Sequence, residues 1–163
     1  MKDPNYWKNY LYETDAEQIE RNLERTTFKS RGLNLSLKYF EKDRNAPNIL
    51  LIGGTGGYSL FGADMMYEMH LRDYNVFGVD LQGHGDSEGK KGDFTIGELV
   101  ENCSDAAKYI SANYNDRIGA IGPSLGGFIT LYLGLAHGPV KSIFCQNPGI
   151  LTEKNFKRKL PKK

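Results

Sequence analysis

The sequence is poor in several residue types that would mark a particular class of protein. It has only two cysteines, Cys103 and Cys145, and three histidines in 163 residues. Each cysteine lies in an apolar segment and the two lack the spacing of metal ligands, so we expect buried free thiols. The formal net charge is only +1, which offers no argument for a nucleic-acid partner.

Long hydrophobic runs are also missing. No stretch approaches the roughly 18 apolar residues that a membrane-spanning helix needs, so we expect no membrane span. The first residues are polar and aromatic, which argues against a signal peptide and makes a cytoplasmic protein the default expectation. Apolar residues make up 39% of the chain, a share typical of one globular domain with a core.

Two kinds of hydrophobic pattern divide the chain. Residues 1–25 predict a loosely packed arm followed by a short helix. Residues 26–40 alternate between polar and apolar side chains around a short turn, which predicts an antiparallel hairpin. After residue 47 the pattern changes to short unalternating apolar runs separated by helical stretches, which is typical of parallel strands buried on both faces.

The sequence therefore predicts an α/β fold, a mostly parallel sheet with an N-terminal antiparallel hairpin and helices on both faces. The predicted strands beyond the hairpin are 48–52, 76–79, 118–121 and 140–145. The predicted helices between them are 60–72, 95–114 and 124–136.

A G-x-S-x-G pentapeptide, Gly122-Pro123-Ser124-Leu125-Gly126, joins the third of these strands to the helix after it. A nucleophilic serine must project from a sharp, strained turn at the carboxyl end of a strand. Glycines two positions away allow neighbouring backbone to approach closely. A backbone N–H at the helix start then stabilises developing negative charge. A serine that merely caps the helix is the alternative, but it does not explain the two glycines.

A glycine-rich loop, residues 53–57, follows the first parallel strand. A dinucleotide fingerprint is the rival interpretation, because Gly54 and Gly56 follow a strand and Asp80 ends the next one. Ser59 stands where the third glycine of that fingerprint belongs, and a hairpin precedes the strand. A nucleotide-binding domain therefore remains only a third hypothesis.

A third segment, residues 83–89, reads Gly-His-Gly-Asp-Ser-Glu-Gly. Together with the glycine-rich loop and the serine pentapeptide, in that order and spacing, it resembles the α/β-hydrolase superfamily. The resemblance is greatest to the monoacylglycerol lipase and lysophospholipase-like branch, also called the serine aminopeptidase-like hydrolases, and only to their N-terminal portion. It implies a truncated α/β-hydrolase fold, with an incomplete core at 26–150. Residues 151–163 would be a basic tail or the start of a missing cap.

The resemblance also implies roles for individual residues. Ser124 corresponds to the nucleophile, which would form an acyl-enzyme with a small-molecule ester or acyl substrate. The backbone N–H groups of Thr55 and Leu125 correspond to the oxyanion hole. The positions that support these loops are Gly53, Gly54, His84, Gly122 and Gly126. No cofactor and no metal are implied.

Two members of the expected catalytic triad have no residue in the sequence. A serine hydroxyl needs a base and an acid, which follow the serine along the chain in this fold. Only His137 follows Ser124 among the histidines, and a helix of that length carries it about 20 Å away. We expect His84 to hold its loop, and His70 has no catalytic case.

These observations leave two main hypotheses. The first is a serine hydrolase of carboxylic esters, in a truncated form that lacks the triad acid and histidine. The sequence does not decide whether this form is active on its own. The second is a non-catalytic binding or regulatory remnant of the same fold. In either case another chain would supply the missing half or pair with the open edge of the strand at 140–145.

Overall fold

The computed structural model describes residues 5–12, 14–136 and 138–149, which form six strands and four α-helices. The strands are β1 (Glu24–Ser30), β2 (Leu33–Phe40), β3 (Asn48–Ile52), β4 (Asn75–Val79), β5 (Ile118–Pro123) and β6 (Val140–Gln146). The α-helices are α1 (Ala16–Asn22), α2 (Ala63–His70), α3 (Ile96–Asn113) and α4 (Ser124–Leu135). Two 3₁₀ helices, Tyr6–Tyr10 and Ser59–Gly62, precede α1 and α2.

All the strands belong to one mixed sheet, in the order β1-β2-β4-β3-β5-β6. The hairpin strands β1 and β2 are antiparallel, and β2 is also antiparallel to β4, whereas the other pairs are parallel. Arg31 and Gly32 form the hairpin turn with φ of 52° and 81°, the left-handed conformation that tight hairpin turns require. The predicted mostly parallel sheet with an N-terminal hairpin is confirmed.

Helices cover both faces of the sheet, as the crossover rule predicts. On one face, α3 and α4 pack against alternate side chains of β3, such as Leu50 and Ile52. On the other face, the intervening Ile49 and Leu51 pack with α1, α2 and the first 3₁₀ helix. The alternation along β3 thus separates two cores that share one sheet.

Residues 5–12 are not loosely packed, contrary to the prediction of a loosely packed N-terminal arm. Trp7 is 1% exposed in the core beneath α1 and α2. The backbone N–H of Tyr12 donates to Asp64 Oδ2 at 2.6 Å, which ties the segment to the first turn of α2. A single tryptophan without apolar periodicity around it gives no local signal of burial.

Two smaller differences have local causes. The helix predicted over 60–72 is divided into a 3₁₀ helix and α2, which meet at Gly62. Both cysteines are free, but only Cys103 is buried. Cys145 is half-buried because it lies on β6, the strand at the edge of the sheet.

Among the residues that the structure covers, no helix combines the length and apolarity needed to cross a membrane.

The strand β6 leaves apolar surface uncovered. Its only neighbour among the described strands is β5, so its outer edge carries unpaired backbone groups. Phe144 is 62% exposed and, with Ile49 and Ile121, lines a groove of about 390 Å³ on the α2 side of the sheet. No helix of the described residues covers this groove, although α4 covers the opposite face of β6.

Candidate active site

Ser124 occupies a strained turn between β5 and α4. Its φ is +51°, which a residue with a side chain adopts only at a cost of about 1–2 kcal/mol. Pro123 before it is extended, with φ −91° and ψ 153°, and Ser124 begins the helix. The strand therefore runs directly into the helix, and the Ser124 side chain is left exposed at the junction.

Close backbone packing holds this turn in place. A methyl group on Gly126 would overlap the carbonyl oxygen of Ile52 and lie 2.7 Å from that of Gly53. A methyl group on Gly122 would likewise overlap the backbone of Gly126. The first turn of α4 thus rests on the end of β3, and only glycine allows this approach.

The glycine-rich loop lies beside the serine. A methyl group on Gly54 would lie 3.7 Å from Ser124 Cβ. The N–H of Gly57 donates to the Gly54 carbonyl at 2.9 Å, so the loop folds into a tight turn that carries the exposed Thr55 at its tip. Leu125 is in the first turn of α4, where backbone N–H groups lack helical acceptors. The structure therefore places the glycine-rich loop next to Ser124, with Leu125 following Ser124 in the first turn of α4.

A segment that the sequence analysis missed closes over the start of α4. The N–H of Gly149 donates to the Ser124 carbonyl at 2.8 Å. Asn147, just after β6, has φ 43°, and a methyl group on Gly127 would lie 3.1 Å from Pro148 Cα. The Pro148-Gly149 dipeptide is a turn signal that could have identified this return.

A buried cluster of charges supports the loops around the serine, and its centre is Asp80. Asp80 Oδ1 accepts from the N–H of Ser59 at 2.7 Å, and Oδ2 accepts from the N–H of Asp86 at 2.9 Å. The Lys38 ammonium group pairs with the same carboxylate. Because Asp80 is buried and fully engaged, it is not available to a nucleotide ribose, which argues against the dinucleotide interpretation.

Lys38 connects this cluster to the glycine-rich loop. Its Nζ lies 2.7 Å from Asp86 Oδ2 and 4.5 Å from the centre of the Tyr58 ring, and the Tyr58 hydroxyl donates to Asp86 Oδ2 at 3.1 Å. Burial, reinforced by the Asp86 charge, raises the pKa of Tyr58. Partial burial opposes ionisation of Asp86, but its contacts with Lys38 lower the pKa of that carboxyl below its usual value. At neutral pH the cluster therefore holds a neutral tyrosine beside the charged carboxylate of Asp86.

His84 is buried within its own loop. Its Nδ1 lies 2.9 Å from the Gln82 carbonyl oxygen, and its ring lies 5.1 Å from that of Phe94. The neighbouring Ser87 hydroxyl donates to the Asp80 backbone carbonyl at 2.5 Å. His84 thus contacts both its own loop and the residue Phe94 that follows it.

Ser124 has no base beside it within the described part of the chain. No described side chain forms a hydrogen bond with its hydroxyl group. His70 ends α2 and packs against Phe40 and Tyr67, and His137 lies outside the described residues. Across residues 5–12, 14–136 and 138–149, no three His, Cys, Asp or Glu side chains group as metal ligands would. Within the described residues, the arrangement thus offers an exposed serine hydroxyl group, but no side chain hydrogen-bonded to it that could accept its proton.

Comparisons with known proteins agree with this geometry. Residues 43–162 match the family described as serine aminopeptidase, S33. A comparison with curated proteins finds no significant match. Among solved structures, the chain resembles the Pyrococcus furiosus esterase Pf2001, with a TM-score of 0.71 and 19% identity over 93% of this chain and 64% of that one.

Two further structures show the same likeness. The α/β-hydrolase GrgF from Penicillium superposes with a TM-score of 0.71 and 20% identity, over 77% of this chain and 46% of that one. Est1E from Butyrivibrio proteoclasticus, solved with bound ferulic acid, superposes with a TM-score of 0.67 and 20% identity, over 76% of this chain and 52% of that one. The chain thus spans about half to two thirds of the length of these structures.

Proposed function

Because this chain belongs to the serine aminopeptidase S33 family of α/β-hydrolases, we propose that it provides the nucleophile and the oxyanion hole of a serine hydrolase acting on carboxylic esters. The observation that supports this most is Ser124 itself. It is an exposed serine with φ +51°, held at a strand-to-helix turn by glycines that no other residue could replace without a clash. A helix cap needs none of this strain.

In the proposed reaction, Ser124 Oγ attacks the ester carbonyl carbon and loses its proton to a base. The carbonyl oxygen becomes an oxyanion, which accepts hydrogen bonds from the N–H groups of Thr55 and Leu125. Collapse of this intermediate breaks the bond to the leaving oxygen, which takes the proton from the base and departs as the alcohol, and the acyl group stays on Ser124. Water then hydrolyses the acyl-enzyme through a second tetrahedral intermediate. Loss of one oxyanion donor in such sites costs roughly 100- to 1,000-fold in rate.

We propose that the base and its acid partner come from a polypeptide segment that docks on the uncovered groove along β5 and β6. The groove is lined by apolar side chains such as Ile121 and Phe144, and β5 leads directly from it to Pro123 and Ser124. A segment that covered the groove and continued along β5 toward its carboxyl end would reach the nucleophile. Either a continuation of this chain or a second polypeptide fits this position, and a strand pairing with the β6 edge would anchor it.

The test is covalent labelling by a fluorophosphonate, which reacts only with activated serines. We expect the Ser124→Ala variant to lose all labelling, and labelling of the wild-type chain to rise when a polypeptide carrying the missing half is added. Hydrolysis of a p-nitrophenyl ester under the same conditions reports turnover. If Ser124 stays unlabelled even when the complementary half is present, the chain is not a hydrolase nucleophile.

The alternative is a non-catalytic binding or regulatory protein with the same fold. The lack of any hydrogen bond from a described side chain to the Ser124 hydroxyl favours it. On this alternative, a Ser124→Ala variant would retain every ligand and partner affinity of the wild-type chain, and neither protein would release p-nitrophenol.

A further inference from the structure

An apolar cavity of about 310 Å³ lies beside the serine. It shares Gly54, Thr55 and Pro123 with the surroundings of Ser124, and its outer walls are apolar side chains, among them Phe61 and Met65. No charged side chain lines it. A group that occupied this cavity would therefore be uncharged and would lie against Gly54 and Pro123, which border Ser124.

Exposed aromatic rings stand at one side of this cavity. We define the aromatic collar as Tyr6, Tyr10, Tyr58 and Phe61. The Phe61 ring lies 4.4 Å from that of Tyr10, 6.0 Å from that of Tyr6 and 5.7 Å from that of Tyr58. Tyr6 and Tyr10 remain 45% and 42% exposed. Because Tyr58 and Phe61 also line the cavity, the collar continues its wall outward to solvent.

The N-terminal segment holds the collar rigidly in place. Trp7, between the two collar tyrosines on the 3₁₀ helix, is buried in the core, so Tyr6 and Tyr10 are carried on an anchored turn. The Tyr6 and Tyr10 hydroxyl groups also lie 2.6 Å apart. This segment precedes residues 43–162, the part that matches the family, so it is a feature of this chain rather than of the matched family region.

We propose that the cavity and the aromatic collar bind the acyl part of an ester whose far end is an aromatic ring. This rests on the proposed function, which places the ester carbonyl at Ser124. A cavity of 310 Å³ holds about ten non-hydrogen atoms at the roughly 30 Å³ that each water takes in the liquid. A 3-phenylpropanoyl group is of that size. Its chain and ring together fill the cavity, with the ring against Phe61, which lines the cavity, and facing Tyr10 beyond it.

The preference for an aromatic end follows from ring geometry. Aromatic pairs in edge-to-face or offset arrangements gain binding beyond what their buried area gives. Tyrosine and phenylalanine also lose little conformational freedom when they bind, because each has two side-chain torsions. We expect roughly tenfold tighter binding for an aryl acyl group than for an aliphatic one of similar length, a ratio within the range of one or two such contacts.

The test measures binding without catalysis. The Ser124→Ala chain is titrated with 3-phenylpropanamide and with hexanamide, both uncharged and unreactive, while the fluorescence of Trp7, the only tryptophan, is recorded. We expect the aryl amide to bind about ten times more tightly. Tyr10→Ala and Phe61→Ala should each remove most of this difference. Tyr132→Ala serves as the matched control, because Tyr132 is also exposed but lies on α4 away from the cavity.

The outcomes separate this proposal from the proposed function. Equal affinity for the two amides, no binding of either, or a preference that survives both collar substitutions would overturn the aryl-acyl site. Failure of fluorophosphonate labelling would overturn the nucleophile but leave amide binding to the Ser124→Ala chain unaffected. Amide binding with intact discrimination therefore supports the site whatever the chemistry at Ser124.

Discussion

The ammonium group of Lys38 and the carboxylate of Asp80 form an ion pair in which the side chains are only 1% and 0% exposed. Burying two charges costs several kcal/mol each, and their attraction offsets this only when the remaining polar atoms are satisfied. Here Asp80 also accepts two backbone N–H groups and Lys38 reaches Asp86. The pair joins strand β2 to both loops that flank the serine.

Removing the Lys38 side chain should therefore lower the free energy of unfolding. We expect Lys38→Met to lower the free energy of unfolding by roughly 3–5 kcal/mol, because it leaves Asp80 as a buried charge without a counterion. Urea unfolding followed by circular dichroism measures the change. Lys42→Met is the matched control: its pair with Asp73 has both side chains largely exposed, and such pairs contribute about 0–1 kcal/mol. Equal losses in the two variants would contradict a special role for the buried pair.

The double variant Lys38→Met/Asp80→Asn tests the same electrostatic cause by also removing the Asp80 charge. It removes the orphaned charge but keeps an oxygen that accepts the N–H of Ser59. We expect it to be more stable than Lys38→Met alone, since a neutral amide costs less to bury than an unpaired carboxylate. A double variant less stable than both Lys38→Met and Asp80→Asn would contradict this electrostatic explanation.

The sequence could predict the sheet but not this pair. The buried strands β3, β4 and β5 carry continuous apolar runs that local patterning reveals, and the crossover rule predicts helices on both faces of the sheet. Lys38 lies in the alternating strand β2, where a lysine between Leu37 and Tyr39 is typical of a solvent-facing position. That face is covered by Tyr58 and Asp80, which are distant along the chain. Burial by residues that are distant along the chain does not change the local pattern of polar and apolar residues.

The same distinction holds near Ser124. The pentapeptide and the glycine-rich loop could be identified from sequence because each is a short glycine-rich stretch between a predicted strand and a predicted helix, although the backbone that Gly126 approaches belongs to β3. The return of Gly149 to the Ser124 carbonyl depends on the register of β6 beside β5. The exposed tyrosines beside Phe61 depend on the burial of Trp7. Both are long-range contacts between elements whose packing a single sequence does not reveal.

The strained backbone at Ser124 predicts that a substitution that relieves the strain raises stability but abolishes reactivity. Glycine adopts φ near +51° without the penalty that a side chain incurs. We expect Ser124→Gly to raise the free energy of unfolding by about 1 kcal/mol relative to Ser124→Ala, while both variants lose fluorophosphonate labelling. The comparison with alanine removes the effect of losing the hydroxyl. If the glycine variant were no more stable than the alanine variant, the turn would not be strained.

The close packing at Gly126 should tolerate no side chain. A methyl group there would overlap the Ile52 carbonyl oxygen, so we expect Gly126→Ala to push α4 away from β3. The loss should be at least about 3 kcal/mol, as for severe overpacking. Gly97→Ala in α3 is the control, because its methyl group would have only one neighbour, at 3.9 Å, and alanine favours a helix. Thermal unfolding distinguishes the two, and a well-folded Gly126→Ala chain would contradict the packing described here.

Acid should destabilise the chain through His70. Burial, together with the positive charge of Lys42, lowers the pKa of His70 below its usual value of 6.5, and its Nδ1 is buried without a partner among the described residues. The folded state therefore binds this proton less readily than the unfolded state does. The resulting stability is present above about pH 6.5 and is lost as the pH falls through the lower pKa of the folded state.

Urea unfolding at pH 7.5 and 5.5 measures this effect. We expect His70→Leu to show a smaller loss of stability between the two pH values than the wild-type chain, because leucine does not titrate. Lys42→Met should also reduce the loss, since it removes a charge that disfavours protonation of His70 and leaves Asp73 to favour it. The paired variants distinguish His70 from other acid-sensitive groups. If both kept the full wild-type pH dependence, the loss of stability in acid would have to arise elsewhere in the chain.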